Sequence, residues 1–421
     1  MKRSLVVSMM FFVLLVASQQ AQAAAAGETI ATVAGSGAFC QITAIMCQFE
    51  IAPPCGDGGP AIDAAFFSPR GLAETSDGGY LVADRFDNRI RKVSAIRSDA
   101  TITTIAGTGE QCRPDPTDPC GDGGPAALAN LTIPREISLT DDDGYLIADE
   151  GDHRIRKVSA ISPNGIITTV AGTGEQCPDP TDRCGDGGPA TAAFLNFPHN
   201  VLALSNGEFL IADSLDNRVR KVSADGTITT IAGTGEPCDA TKSTCGDNGP
   251  ATKARLNNPH GLAVTRDGGL LIVAALENRI RKVSADGIIT TVAGTGVQCS
   301  DPTAPCGDGG PATAAQLGRP RSIALMPNGG FLFTDALINR VREVTPNGKI
   351  TTVAGTGEAC TDSTAPCGDG GRALGADLSG PQDVLLTRGG GFLIADGGDT
   401  DAPDCSVTNR IRLVAPPGLH K

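Results

Sequence analysis

The string GDGGP, or a one-residue variant of it, begins at Gly56, Gly121, Gly185, Gly246, Gly307 and Gly368 of this 421-residue chain, at intervals of 65, 64, 61, 61 and 61 residues. Repetition at that period constrains the fold more than any other feature, because each copy has to be one supersecondary unit that buries its faces against its neighbours. The third copy reads CGDGGPATAAFLNFPHNVLALSNGEFLIADSLDNRVRKVSADGTITTIAGTG. Its short alternating apolar runs (VLAL, EFLIAD, RVRKV, TITTIAG) are separated by turn residues such as Ser205-Asn206-Gly207 and Asp225-Gly226, which gives four strands per unit. Six four-stranded antiparallel units predict an all-β, six-bladed β-propeller. A β-solenoid would use a shorter period and capping ends.

The sixth copy, GGGFLIADGGDTDAPDCSVTNRIRLVAPPGLHK, lacks the ITTVAGTG segment that follows its siblings. The N-terminal stretch ETIATVAGSG supplies a copy of it, so Thr29 to Gly37 is expected to form the outer strand of the last blade and close the ring. Strand alternation puts the loop between strands two and three on the same face as the loop leaving strand four. Cys405 lies in the first kind of loop and Cys47 in the second, and a Cys47–Cys405 bridge across the closing blade is expected. The other cysteines fall into local pairs before each GDGGP: Cys40/Cys55, Cys112/Cys120, Cys177/Cys184, Cys238/Cys245, Cys299/Cys306 and Cys360/Cys367. Their spacing is not of the C-x-x-C type and no repeated histidine accompanies them, so disulfides are expected rather than zinc.

Lys2 and Arg3, an apolar run from Leu5 to Ala17 and Ala21-Gln22-Ala23 have the layout of a secretory signal over residues 1–23. The run is too short to span a bilayer, which takes about 20 residues. The expected organisation is therefore a leader, a single propeller over 24–418 and a tail over 419–421, in a secreted or periplasmic protein with no membrane span. With 47 acidic against 34 basic residues the formal charge is −13, which argues against nucleic acid or anionic lipid surfaces as partners. The absence of Trp and the presence of only two Tyr weigh against sugar and flat quinone ligands, which need aromatic platforms.

The pattern P-x-G-L-A…DGG-x-L-x-AD…NRIRKV resembles the NHL repeat, and the GDGGPA…ITTVAGTG flanks resemble a subgroup of it. The resemblance runs from about Glu28 to Pro417 and implies the six-bladed ring. For function it implies a range: scaffolds, receptors and unrelated enzymes share such propellers. Two classes follow, a binding or interaction module for a protein or small anionic ligand, and a metal-dependent enzyme at the central channel.

The residue after the proline that opens each innermost strand varies in a chemically suggestive way: Arg70, Arg135, His199, His260, Arg321 and Gln382. These six are expected to ring the channel mouth on the cysteine-loop face. The guanidinium forks suit a carboxylate or phosphate, and the bland reading is a set of loop-carbonyl contacts that seals the channel. His199 and His260 stand in Pro-His openings similar to those that hold zinc in peptidyl-hydroxyglycine amidating lyases, while His153 and His420 stand elsewhere. Calcium-dependent lactonase-like propellers use carboxylate and amide ligands, for which Glu136, Asn200 and Asp383 are the matching candidates. A divalent ion, zinc or calcium, is the cofactor such a site would take. The repeated Asp of GDGGP (Asp57 in the first copy) reads as an Asx-turn former. The AD…NR pair, Asp84 with Arg89 in the first blade and Asp213 with Arg218 in the third, reads as making an ion pair or backbone bonds within each blade, and whatever the Asp does is lost in the fourth, where Ala274 replaces it.

Overall fold

The computed structural model describes residues 27–38, 55–112, 120–239, 244–362, 365–398 and 408–416. Six antiparallel sheets form the ring, five of them four-stranded and one carrying a two-residue fifth strand, Gly249–Pro250. In the third blade the strands run Pro198–Ala203, Phe209–Asp213, Arg218–Val222 and Ile228–Ala232, from the channel outward. The innermost strands open at Pro69, Pro134, Pro198, Pro259, Pro320 and Pro381. A proline fits there because the first residue of a strand can do without a ladder N–H. The last blade closes as the repeat implied: Thr29–Ala34 pairs antiparallel with Arg410–Ala415, Thr29 opposite Ala415 and Ala34 opposite Ile411.

Apolar side chains from facing sheets fill the space between blades. Leu271, Val273 and Ile280 of the fourth blade pack with Ile323, Phe331 and Phe333 of the fifth. With no Trp available, the seams are closed by many small aliphatic contacts, each weak and collectively large.

The Asn of the NR motif clips each blade to the next. Asn88, Asn217, Asn278, Asn339 and Asn409 all have left-handed backbone, with φ between 41° and 52°, a conformation Asn tolerates. Their Oδ1 atoms accept from the backbone N–H of Ile133, Asn258, Arg319, Gly380 and Ser68, each just before the next blade's opening proline. The Asn409–Ser68 bond joins the last blade to the first. In the second blade His153 takes the same place at φ 53°, and its Nδ1 accepts from Phe197 N at 3.2 Å.

The repeated aspartates find other side-chain partners than expected, while the expected backbone bond of the AD aspartate within its blade is present. The GDGGP aspartate is a partner of the second arginine of NRIRKV: Arg91 Nε and Nη2 donate to Asp57 Oδ1 at 3.1 and 2.7 Å, and Asp57 Oδ2 accepts from Thr104 N at 2.9 Å. Arg91, Arg156, Arg220, Arg281, Arg342 and Arg412 are fully buried. The AD aspartate pairs with this same arginine, not with the first: Asp84 Oδ2 lies 3.4 Å from Arg91 and Oδ1 accepts from Phe67 N, whereas Arg89 pairs with Asp87 at 2.6 Å. Asp84 and Arg89 are cross-strand neighbours in register, but the shorter path to Asp87 wins. Nor is the function lost in the fourth blade. Glu277, three residues beyond Ala274, reaches Arg281 at 3.0 Å and accepts from Asn257 N at 2.9 Å, doing with a longer arm what Asp84 does.

Five disulfides are present among the described residues, Cys112–Cys120, Cys177–Cys184, Cys238–Cys245, Cys299–Cys306 and Cys360–Cys367, with Cα separations of 5.5–5.9 Å. Cys55 is also disulfide-bonded. Cys40, Cys47, Cys405, the expected leader and the tail lie outside the described residues. Among those described, no helix is long and apolar enough to cross a membrane.

Candidate functional site

Each innermost strand carries a β-bulge just after its proline, seen as a register shift between Pro198 and Asn200 and at the corresponding place in the other five blades. A bulge lets consecutive residues face the same way. Two layers of side chains therefore line the channel: Arg70, Arg135, His199, His260, Arg321 and Gln382, and directly beneath them the residue that follows each, including Glu136, Asn200, Ser322 and Asp383. Alternation alone anticipates only the first layer.

The six residues of the upper ring come together; five are buried and His199 is partly exposed. Arg70 is 2% exposed, His260 3% and Arg321 4%. The neck they enclose holds about 20 Å³, room for about one water.

Glu150, which the repeat pattern does not single out, organises this ring. It sits at the start of the loop between strands two and three of the second blade, where the other copies have Arg85, Ser214, Ala275, Ala336 and Gly397. Its carboxylate accepts from Arg85 Nε and Nη2 at 3.3 and 3.2 Å and from Arg135 at 3.1 Å, with His199 Nε2 at 3.4 Å. Burial alone would raise this carboxyl, but Arg135, Arg85 and His199 together hold it well below the usual range. That variation at one repeat position was the available signal.

His199 Nδ1 lies 2.8 Å from His260 Nε2, the rings meeting edge to face, and His260 Nδ1 lies 3.5 Å from Arg135. One proton assignment satisfies every contact. Arg135 donates to His260 Nδ1, His260 Nε2–H is shared between His199 Nδ1 and Asn258 Oδ1 (2.6 Å), and His199 Nε2–H donates to Glu150. Both imidazoles are then neutral. Burial, followed by Arg135, pushes His199 down to about 3, and burial, followed by His199 and Arg321, holds His260 well below the usual histidine range.

A divalent metal does not fit this pair. All four ring nitrogens serve the hydrogen-bonded chain, the neighbouring guanidinium groups oppose a cation, and neither histidine belongs to any group of three His, Cys, Asp or Glu side chains within ligand reach among the described residues. The groups that do come within reach are cysteine pairs already joined as disulfides.

Beneath the second layer the channel widens toward the opposite face into a cavity of about 520 Å³, walled mostly by aliphatic side chains, with Glu74, Ser138 and Arg388 also in its lining, and floored by Glu136, Asn200, Ser322 and Asp383. The two ends of one channel thus differ in access, charge and wall chemistry.

The family profile described as the Teneurin NHL domain matches residues 88–173, 164–236, 230–300 and 291–356. Teneurin-1 of Mus musculus is 26% identical over 390 residues, which is 88% of this chain and 13% of that protein. Teneurin-1 of Gallus gallus is 31% identical over 260 residues, 58% of this chain and 9% of that protein. The chain thus spans only a small part of the length of these relatives. Among solved structures, a protein of unknown function from Bacteroides thetaiotaomicron superposes with a TM-score of 0.59 at 15% identity, covering 92% of this chain and 76% of that one. An auxiliary nutrient binding protein from Bacteroides ovatus gives 0.56 at 14% identity, covering 93% and 77%. These structural likenesses speak to the fold. The four matched stretches run through most of the six-bladed ring, and on them the chain belongs to the family of the teneurin NHL domain.

Proposed function

We propose that this chain is an exported, non-catalytic binding module that meets a protein partner or a small anionic ligand at its disulfide-stapled loop face, over the ring of Arg70, Arg135, His199, His260, Arg321 and Gln382. The sealed neck carries this reading. A space of about 20 Å³ admits no substrate, so recognition at this face works by contact across the rim. Charge supports an acidic group as the point of contact. Arg70, Arg135 and Arg321 line the neck, and Arg85 and Arg135 pair with Glu150 beside it, in a chain whose net charge is −13. Loops stapled by disulfides lose less freedom on binding, which favours affinity. The signal-like layout of residues 1–23 and the disulfides support export. The enzyme alternative has the histidine pair in its favour and nothing to hold a metal on it.

The test uses the oxidised protein and short acidic peptides with either a free or an amidated C-terminus. Free carboxylates are expected to bind more tightly, with affinity falling as salt rises and dropping about tenfold in the Arg70→Gln, Arg321→Gln double variant. Equal binding of free and amidated peptides, or no loss in the variant, would overturn the role given to the ring.

A further inference from the structure

We propose that the wide funnel on the face opposite the cysteine loops binds a primary ammonium ion carrying an aliphatic chain, with the ammonium held by Glu136, Asp383 and Asn200 and the chain lying along the walls. This site is separate from the loop face and does not depend on the reading of that face.

The floor presents acceptors and few donors. Glu136 Oε1 accepts from Ile137 N at 3.1 Å and Oε2 from Asn200 Nδ2 at 3.2 Å. Asp383 Oδ2 accepts from Leu72 N at 2.7 Å, and Oδ1 from Val384 N at 2.8 Å and from Ser322 Oγ. Donation to Glu136 fixes the Asn200 amide so that its Oδ1 is left buried and without a partner in a side chain that is only 9% exposed. An acceptor buried in this way calls for a donor. Three acceptors converge from the second, third and sixth blades, and an ammonium has three N–H donors.

Competing ligands fit less well. An anion would face two carboxyl groups. An alcohol offers one donor to three acceptors. Calcium takes six to eight oxygens, and a bare ion would leave the aliphatic walls unused. A quaternary ammonium has no N–H to donate, and none of the lining residues is aromatic to offer it a π-face. The walls include Leu72, Ile137, Val201, Leu262, Ile323 and Val384, and a cavity of about 520 Å³ lies within the range of small-molecule sites. Burial, and for Glu136 also the charge of Asp383, raises both floor carboxyls above their ordinary values, and a bound cation, which favours their charged form, would lower them again.

Calorimetric titration of the intact protein with n-octylammonium, octan-1-ol, octyltrimethylammonium, octanoate and calcium chloride tests the site. The expected result is n-octylammonium binding at least tenfold more tightly than any of the others. Glu136→Gln and Asp383→Asn should each weaken it tenfold or more, and Leu262→Trp, which fills the funnel and leaves the floor intact, should abolish it. Octanol or the quaternary ion binding as well as the primary amine, calcium binding more tightly than the amine, or undiminished binding in Leu262→Trp would each overturn the proposal. If the floor variants fail to fold, the Leu262→Trp result still decides.

Discussion

The two ends of the channel are built from consecutive residues of the same six strands, and they are chemically opposite. At the cysteine face, arginines and neutral histidines close the neck, with Arg85, Arg135 and His199 on Glu150, and leave almost no space. One residue further along, Glu136 and Asp383 floor an open aliphatic funnel. The lesson is that a bulge repeated around a ring doubles the chemistry a propeller channel can hold, because neighbours in sequence that would otherwise point to opposite sides of a sheet both reach the axis. The glycines of the second layer allow this crowding. A Cβ on Gly71 would stand 2.7 Å from Glu136 Cα and 2.8 Å from Arg135 O, and one on Gly261 would stand 2.9 Å from Arg321 O.

The largest effect expected from this difference is at the closed end. Glu150→Ala leaves buried guanidinium groups without their shared carboxylate and should cost about 3–5 kcal/mol, the penalty for breaking a buried ion pair from one side. Glu136→Gln at the open end should cost less than about 1 kcal/mol, since burial already favours the neutral form of that side chain. Chemical denaturation of both variants measures the contrast. Equal losses would mean that the closed ring is solvated well enough to tolerate a missing anion.

Next in size is the pH dependence, which has opposite sign at the two ends. His199 and His260 are depressed in the folded state, so below the ordinary histidine value of 6.5 the unfolded chain takes up protons that the folded chain refuses. Stability falls as pH drops, by up to about 1.4 kcal/mol per unit for each histidine. Glu136 and Asp383 are raised, so their contribution is complete below the ordinary values of 4.5 and 3.8 and is lost as pH rises through the folded values. The buried frame aspartates slope the same way, Asp84 for example being pushed up to about 7 by burial and by Asp87. Differences between variants isolate each end. A His199→Gln, His260→Gln double variant should flatten the acid limb between about pH 6.5 and 5. A Glu136→Gln, Asp383→Asn double variant should remove a fall that begins above the ordinary values of 4.5 and 3.8 and so make the same limb steeper, the opposite of the histidine variant. An acid limb unaltered by loss of both histidines would show that another group governs it.

The staples should act locally and more weakly. Replacing Cys299 and Cys306 by serine removes a small loop closure worth about 2.5 kcal/mol in the chain-entropy account, and it should loosen the loop face while leaving the opposite funnel intact. Hydrogen exchange should rise around Cys299–Cys306 and stay constant along the Pro259–Val264 and Pro320–Leu325 strands. Loss of protection in those inner strands would mean that the staple supports the whole blade.

Much of the frame could be read from the sequence, because a pattern repeated six times reports itself. The six opening prolines, the four strands per blade and the displaced N-terminal strand all follow from periodicity and alternation. Pairing between side chains was less legible. Asp57 and Arg91 are 34 residues apart, and nothing in their spacing says that a turn aspartate reaches a third-strand arginine. Glu277 supplies the carboxylate that Ala274 lacks, from a different position and with a longer arm, a compensation that column-by-column comparison of the copies does not reveal. The six ring residues were identified as a set, but the bulge that adds the layer beneath them leaves no mark on the apolar pattern. Glu150 had a signal, a lone acid at a position the other blades fill differently, and only the ring geometry gives that variation its meaning.

The smallest expected effect separates the ring from the frame on the closed face. His153 is buried there too and is pushed down to about 4 by desolvation, so it could be counted with His199 and His260 as part of an acid-sensitive mouth. Its geometry says otherwise. It occupies the left-handed position that five blades give to Asn, and its bond to Phe197 N is the blade-to-blade clip those Asn residues make. His153→Asn keeps the acceptor and relieves the backbone, and should change stability at neutral pH by less than about 0.5 kcal/mol. His153→Ala loses the acceptor in a conformation alanine disfavours, and should cost about 2 kcal/mol. Thermal denaturation at about pH 7.5 distinguishes the two substitutions, and repeating it at about pH 5 shows how much of the acid limb belongs to the clip. An Asn variant as unstable as the Ala variant would mean that the imidazole packs against Phe197, whose ring centroid is 4.7 Å away, in a way no amide can replace. The clip between the second blade and the third would then work by ring packing, where the other five clips work by the Asn hydrogen bond.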